Sequence, residues 1–343
     1  MNIQKQPLVS IVTPVYNEEK HLGEAIESLL RQTYQNWECI IANNCSTDDS
    51  RRIAREYAAR DSRIRVEDNR QFLRAVSNFN GALRRISPLS KYCKIVFADD
   101  WIFPECLDQM VGVAEEYPSV GIVGAYGLQG RQVMWAGLPY PSRLVPGRDV
   151  CRKLFLEDLY VFGTATSLLF RADLVRSRDP FFNESNLHSD SETCLALLKT
   201  SDFGFVNQVL TFTRVRESSL FAFSTEMNTF IAGRLHDLIT HGPDCLSAEE
   251  FEGCLSRKLD EYYSFLAASV FRHRQENFWE YHKAKLTEAG VGFSRARLAK
   301  AVISKLIDAA LNPKVVIENR RKKTSSQKDP NFLPGFQEKG NAG

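Results

Sequence analysis

The sequence predicts an α/β protein: a mixed, mainly parallel sheet with helices on both faces, followed by a helical C-terminal region. Three observations predict it. Short apolar, β-branched runs alternate with segments of helical period between residues 8 and 125. Several of those runs discharge into a polar cluster: Thr13-Pro14-Val15-Tyr16-Asn17-Glu18-Glu19, Asn43-Asn44-Cys45-Ser46-Thr47-Asp48, and Asp99-Asp100. From Thr225 to about Leu311 the pattern is almost wholly helical.

The elements follow in order. Leu8 to Val15 reads as a buried strand with Pro14 near its end, where a missing N–H does little harm. His21 to Gln32 carries Leu22, Ala25, Ile26, Leu29 and Leu30 at helical spacing. Trp37 to Ala42 is a second strand, and Thr47 to Arg60 a helix that Ser46 or Thr47 can cap. Ile64 to Glu67 reads as a short strand, Leu73 to Ile86 as a helix, and Cys93 to Ala98 as a strand. Pro104 opens a helix to Glu116, and Val120 to Ala125 is a strand. Gly127 to Gly147, rich in Gly and Pro, reads as irregular. Thr164 to Phe170 is expected as a strand returning to the sheet, Asp190 to Lys199 as a helix, and Phe203 to Thr213 as a last strand. The expected division is a catalytic domain over 1–222, a helical region over 223–319 and a disordered basic tail over 320–343.

Composition narrows the function. The chain has 343 residues, 43% hydrophobic and 25% charged, with a net charge of +2. That balance speaks against nucleic acid as a partner, since a binding domain usually shows a strong basic excess. Eight scattered cysteines form no C-x-x-C pair, which disfavours structural zinc and fits a reduced, cytoplasmic setting. No run reaches the roughly 18–20 apolar residues of a spanning helix, and the polar start from Met1 to Pro7 lacks the core of a signal peptide. The expectation is a cytoplasmic protein, free or peripheral to the inner face of the membrane.

In an open α/β sheet, ligands bind beyond the carboxyl ends of the strands. Two adjacent carboxylates there suit a hard divalent cation and a phosphorylated ligand. The order and wording of these clusters resemble the inverting glycosyltransferases of family 2, which have the GT-A fold. The resemblance covers about Pro7 to Leu220. It implies that Pro14, Val15, Tyr16 and Glu18 form a nucleotide loop, with backbone and ring against base and ribose. Family members usually carry two aspartates where this chain has Asn43 and Asn44. The resemblance gives Asn44 the contact to the nucleobase, where an amide can both accept and donate. Asn69 is the implied nucleotide residue of the third segment, with Arg74 and Asn78 as alternatives.

Phe97-Ala98-Asp99-Asp100 stands where relatives often have an Asp-x-Asp pattern, so one carboxylate is replaced by Phe97. By resemblance Asp100 holds Mn²⁺ or Mg²⁺, and Asp99 touches ribose or a water of the metal. Asp190, in His188-Ser189-Asp190-Ser191-Glu192, matches the base that deprotonates the acceptor hydroxyl, with Glu192 as the alternative. Gly163 to Ser167 resembles a segment that approaches the acceptor. Thr213 to Ser219 resembles a segment often reading Arg-x-His. Arg216 takes the His position, where it can pair with diphosphate oxygens but not hold metal.

The resemblance implies a UDP-sugar as the default donor and a glycan or lipid-linked saccharide acceptor in polysaccharide biosynthesis. The processive members' Gln-x-x-Arg-Trp motif is absent, which favours addition of a single sugar. In Arg295 to Leu311, Arg295, Arg297, Lys300 and Lys305 interleave with apolar residues, followed by Arg320-Arg321-Lys322-Lys323. Such a helix either packs on the catalytic domain or contacts a membrane surface peripherally. Two other classes compete. A non-catalytic nucleotide-sugar-binding or assembly subunit would explain Asn43, Asn44, Phe97 and Arg216. A nucleotidyltransferase would need a triphosphate cradle, and no G-x-x-x-x-G-K-[ST] is present.

Overall fold

The computed structural model describes residues 6–215, 224, 227–270, 272 and 275–311. Two compact units divide between Arg214 and Val215. The expected boundary at 222 and the tail from 320 lie outside the described residues.

The first unit is built on one sheet in the order β3-β2-β1-β4-β9-β6-β10-β5. Its strands are β1 (Val9–Val15), β2 (Trp37–Asn43), β3 (Ile64–Asp68), β4 (Tyr92–Ile95), β5 (Trp101–Ile102), β6 (Val120–Gln129), β7 (Gln132–Met134), β8 (Leu144–Val145), β9 (Leu169–Arg171) and β10 (Asp202–Thr213). Strands β3, β2, β1 and β4 are parallel neighbours. Their register aligns Val15 with Asn43 and Asn43 with Asp68, so the residues that follow these strands emerge side by side. Strand β6 runs parallel to β10, while β9 lies between β4 and β6 antiparallel to both.

Helices cover both faces because the strand period is two. Val9, Ile11 and Val15 of β1 pack with Leu22, Ile26 and Leu29 of α1 (Leu22–Leu30), Ala54 of α2 (Ser50–Arg60) and Met110 of α4 (Cys106–Glu116). Ser10 turns to the other face. There the Ser87 N–H, just past α3 (Ala75–Leu83), donates to Ser10 Oγ and to Glu38 Oε1.

Some boundaries depart from the sequence reading. Strand β4 stops at Ile95, because the Phe97 N–H bonds Thr166 Oγ1 at 3.2 Å instead of a neighbouring strand. The expected strand from Thr164 is a 3₁₀ turn, Ala165–Ser167, before β9. Gly163 enters that turn at φ +68, and a Cβ there would lie 2.6 Å from Ser167 Oγ. Within the irregular stretch β7 and β8 form short antiparallel pairs, and α5 (Gly147–Leu156) and α6 (Ala172–Arg176) add two helices. Helix α7 (Ser189–Leu197) falls where a helix was expected.

The second unit holds α8 (Thr229–Cys245), α9 (Ala248–Ser269), α10 (Glu276–Glu288) and α11 (Arg295–Leu311). Helix α9 starts with a capping box: Ser247 Oγ accepts from the Glu250 N–H, and Glu250 Oε2 accepts from the Ser247 N–H. Leu259, Tyr262, Leu266, Phe278 and Leu286 form the core. His282 is fully buried within it. Its Nε2 donates to the Met227 carbonyl at 2.9 Å, which leaves Nδ1 to accept from the Tyr262 hydroxyl at 2.7 Å. This histidine is structural. No described helix is long and apolar enough to cross a membrane.

Candidate active site

The residues that end β1, β2 and β3 form one tightly bonded shelf. The Asn44 N–H donates to the Val15 carbonyl at 2.8 Å, and the Asn69 N–H to the Asn43 carbonyl at 2.9 Å. Asn17, at φ 53, accepts from the Thr47 N–H at 2.8 Å and donates its own N–H to Ser46 Oγ. The Glu18 N–H donates to Ser50 Oγ, and the Glu18 carbonyl accepts the first N–H groups of α1. Asn43 Nδ2 donates to Asp68, which also takes a bidentate contact from Arg51 and one from Arg55.

Asn44 is buried, and its amide is largely committed. Oδ1 accepts from the Leu73 N–H at 2.9 Å and from Asn69 Nδ2 at 3.0 Å, while Nδ2 donates to the Leu73 carbonyl at 2.8 Å. An amide oxygen has two lone pairs, so both are used and one N–H remains. Asn69 also donates to Asn78 Oδ1 and accepts from Arg85. The loop clamped in this way presents Phe72, whose ring meets that of Tyr16 edge-on at 4.9 Å. Both rings are exposed, at 46% for Tyr16 and 58% for Phe72. Two unburied aromatics at a strand end offer an apolar face to a planar group.

Across the same edge the environment changes. Asp100 closes a turn, its N–H donating to the Phe97 carbonyl at 3.0 Å. The short strand β5 then pairs antiparallel with β10, and Trp101 stacks on Phe212 with centroids 4.8 Å apart. That pairing brings Arg214 to the turn. Its N–H donates to Asp100 Oδ1 at 3.0 Å, its Nε donates to the Asp99 carbonyl at 3.1 Å, and its Nη2 pairs with Glu24 of α1. Asp100 is 2% exposed, and its Oδ2 is buried without a hydrogen-bond partner. Burial, and then the charge of Asp99, push its carboxyl up to about 7; the Thr166 hydroxyl and Arg214 pull the other way.

The turn is fixed from behind by a buried lysine. Lys94 is fully buried, and Nζ donates to the carbonyls of Thr166 at 2.8 Å and Leu168 at 3.2 Å. Burial lowers its pKa. Thr166 in turn receives the Phe97 N–H. The Tyr160 hydroxyl reaches the Gly163 carbonyl and Ser191 Oγ, each at 3.1 Å, which ties the start of α7 to this turn.

Asp190 lies in the first turn of α7, half-buried, with Oδ1 accepting from the Ser191 N–H at 2.8 Å. Burial pushes it up to about 6, against those local N–H groups. Glu192 is held differently, by the amides of Asn183 and Asn186 at 2.7–3.2 Å. Pro14, Val15, Tyr16, Glu18, Asn44, Asn69, Asp99 and Asp100 thus all lie at strand ends or in the turns that follow them, while Asp190 lies in the first turn of α7, whose Ser191 meets Tyr160. Arg216 lies outside the described residues; Arg214 of the same segment bonds Asp99 and Asp100. Sequence reasoning did not single out Lys94, Phe72, Tyr160 or the Arg214–Glu24 pair. A lone lysine inside an apolar strand was a usable signal for the first.

The sheet order of the first unit is that of a GT-A α/β fold. Residues 10–175 match the sequence profile of Glycosyl transferase family 2, so that stretch is similar to the glycosyltransferase domain of that family. It is 33% identical over 166 residues to EpsE of Bacillus subtilis (strain 168), a glycosyltransferase by name; the match covers 46% of this chain and 59% of EpsE. The chain spans less than two thirds of the length of the curated relatives that it matches first. Its fold is similar to S. aureus TarS 1-349, solved in complex with UDP-GlcNAc (TM-score 0.62, 16% identity, 86% of this chain and 89% of that one). It is also similar to the mannosyltransferase PcManGT from Pyrobaculum calidifontis, solved with GDP-Man and Mn²⁺ (TM-score 0.51, 17% identity, 89% and 88%).

Proposed function

We propose that the chain is an inverting, non-processive glycosyltransferase that moves one sugar from a nucleoside-diphosphate donor to a glycan or lipid-linked acceptor in polysaccharide assembly. One observation carries the reading: Asp100 keeps a buried, unpartnered carboxylate oxygen at the ligand edge of the sheet. An orphaned buried oxygen costs stability unless something binds it. A hard divalent cation fits it, and Mn²⁺ or Mg²⁺ would take Asp100 Oδ2, with Asp99 beside it. Among the described residues no group of three or more His, Cys, Asp or Glu gathers to hold a metal, so diphosphate and water would complete the shell. Bound there, the ion would supply positive charge to the leaving diphosphate.

The chain's own residues supply the rest. Tyr16 and Phe72 would cover the base, and the one open N–H of Asn44 is available beside them. Asp190 comes from a separate segment, as displacement with inversion requires, and would take the acceptor's proton on the face away from the diphosphate. A pKa near 6 leaves it ionised at pH 7 yet basic enough to accept. Glu192 is already engaged by two amides, which favours Asp190 as the base.

The test is thermal stabilisation by UDP, GDP, dTDP and CMP with and without Mn²⁺, alongside transfer assays of Asp190→Asn. A nucleotide that stabilises only with metal is expected, and so is a variant that still binds it but loses transfer about 10²–10⁴-fold. Absence of any metal-dependent shift would put the non-catalytic assembly subunit ahead.

A further inference from the structure

Helix α11 has two apolar sides. One carries Leu298 and Ala301, which pack on the core of the second unit. The other is exposed. Ala299, Ile303, Leu306 and Ala310 follow one row at the four- and three-residue steps of a helix face, with Ile307 and Leu311 beside them. Ile303 is 57% exposed, Leu306 55%, Ile307 52% and Leu311 75%. A surface helix normally spends its apolar residues on one buried stripe. Here an unburied apolar stripe persists, with branched side chains from Ile303 to Leu311.

Charge says what covers it. Arg295 stands one turn before Ala299 on the same row, and Lys300 borders Ile303 and Ile307. Asp308, the only acid in the helix, falls outside the stripe. Residues 295–323 hold nine lysines and arginines against two acids, a net of +7 in a chain whose total is +2, so the remainder is net −5. Positive charge is thus concentrated in the stretch of sequence that holds this helix, and Arg295, Arg297, Lys300 and Lys305 lie on the helix itself. Nucleic acid would have no use for the stripe. A protein partner would need roughly 800 Å² per side for a stable interface, more than one helix stripe supplies. Apolar side chains bordered by basic ones suit the headgroup layer of an anionic bilayer, where lysine and arginine heads stay at the phosphates.

We infer that the exposed face of α11 docks on an anionic membrane surface, with Ile303, Leu306 and Ile307 inserted and Arg295 and Lys300 at the headgroups. The helix lies on the surface, since it is not long and apolar enough to span. This goes beyond the reading of the active site and stands independently of it.

The test is sedimentation of the full chain with vesicles of phosphatidylcholine alone and of phosphatidylcholine with phosphatidylglycerol, at low and high salt. Wild type is expected to bind the anionic vesicles at least about tenfold better, with the difference lost in high salt. Ile303→Glu with Ile307→Glu should remove binding to both vesicles. Arg295→Glu with Lys300→Glu should remove only the anionic preference. These side chains are exposed, and thermal unfolding checks that the variants fold; Leu306→Gln is the milder substitute if a double variant does not. Failure to bind either vesicle, or binding indifferent to the Ile303/Ile307 change, overturns the inference. So does a dimer, seen by light scattering, that the same change dissolves, because the face then belongs to a second copy.

Discussion

The two ends of the strand edge are built on opposite principles. At the β1–β3 end, Asn43, Asn44 and Asn69 spend their amides on the backbone, on one another and on the side chains of Asp68, Asn78 and Arg85. At the β4–β5 end, Asp99 and Asp100 face each other's charge, and one buried oxygen of Asp100 has no partner. The first end is finished by folding. The second is stabilised fully only when something else arrives. In a folded protein most buried polar groups are satisfied, so the unfinished end is where binding free energy can be gained, and the finished end supplies the shape against which a ligand is held.

The largest effect should come from filling the unfinished end chemically. Asp100→Asn keeps an oxygen for the Arg214 N–H but removes the charge. Transfer should fall about 10³-fold or more, and metal-dependent stabilisation should vanish. Metal-free stability should move the other way. A carboxyl near 7 when folded and near 3.8 when unfolded carries no penalty below both values and its full penalty above the folded one. Three pKa units set an upper figure of about 4 kcal/mol. The variant should therefore exceed wild type in urea midpoint at pH 8, with the gain fading as pH falls toward 4. A variant less stable than wild type at pH 8 would mean that the orphaned oxygen is satisfied in solution.

Much of this contrast was legible in the sequence, for physical reasons. Strands β1, β2 and β4 are short and almost wholly buried, so their existence reads from the sequence, and the polar clusters after them mark the ligand edge. What the sequence hid was long-range. Whether Asn44 is open or committed depends on Leu73 and Asn69, brought close by the parallel pairing of β2 with β3. A strand returning to the sheet near Phe170 was legible, but its antiparallel place between β4 and β6 was not, because a three-residue strand carries no mark of direction or neighbour. The same holds for Arg214: its role comes from β5, a two-residue strand that pairs with β10. Helix α5 follows a Gly- and Pro-rich stretch whose irregularity masked its start.

Lys94 lies behind the β4–β5 end and supplies a second, smaller effect. Lys94→Met preserves length and removes the donors to the Thr166 and Leu168 carbonyls. Two buried carbonyls lose their partner, while the cost of burying an ammonium is also removed. The net loss expected is about 1–3 kcal/mol. Because Thr166 holds Phe97, metal-dependent stabilisation should weaken as well. A loss of stability with unchanged metal response would show that the lysine supports the core alone.

An effect of similar size on stability, with no loss of metal response expected, sharpens the comparison most. Asn44→Asp restores the carboxylate usual among relatives and is nearly isosteric. One oxygen can still accept from the Leu73 N–H and Asn69 Nδ2. The other replaces Nδ2 and faces the Leu73 carbonyl, acceptor against acceptor. The expected cost is about 1–3 kcal/mol at pH 7. The carboxyl of the variant should be raised on folding, so the cost should be present above its folded pKa and disappear as pH falls and a proton restores a donor to Leu73. Urea unfolding of wild type and variant from pH 8 to pH 4 reads this directly. If the gap is constant across that range, or absent at pH 7, the Asn44 amide is not committed to the loop. The β1–β3 end would then be as open to a ligand as the β4–β5 end.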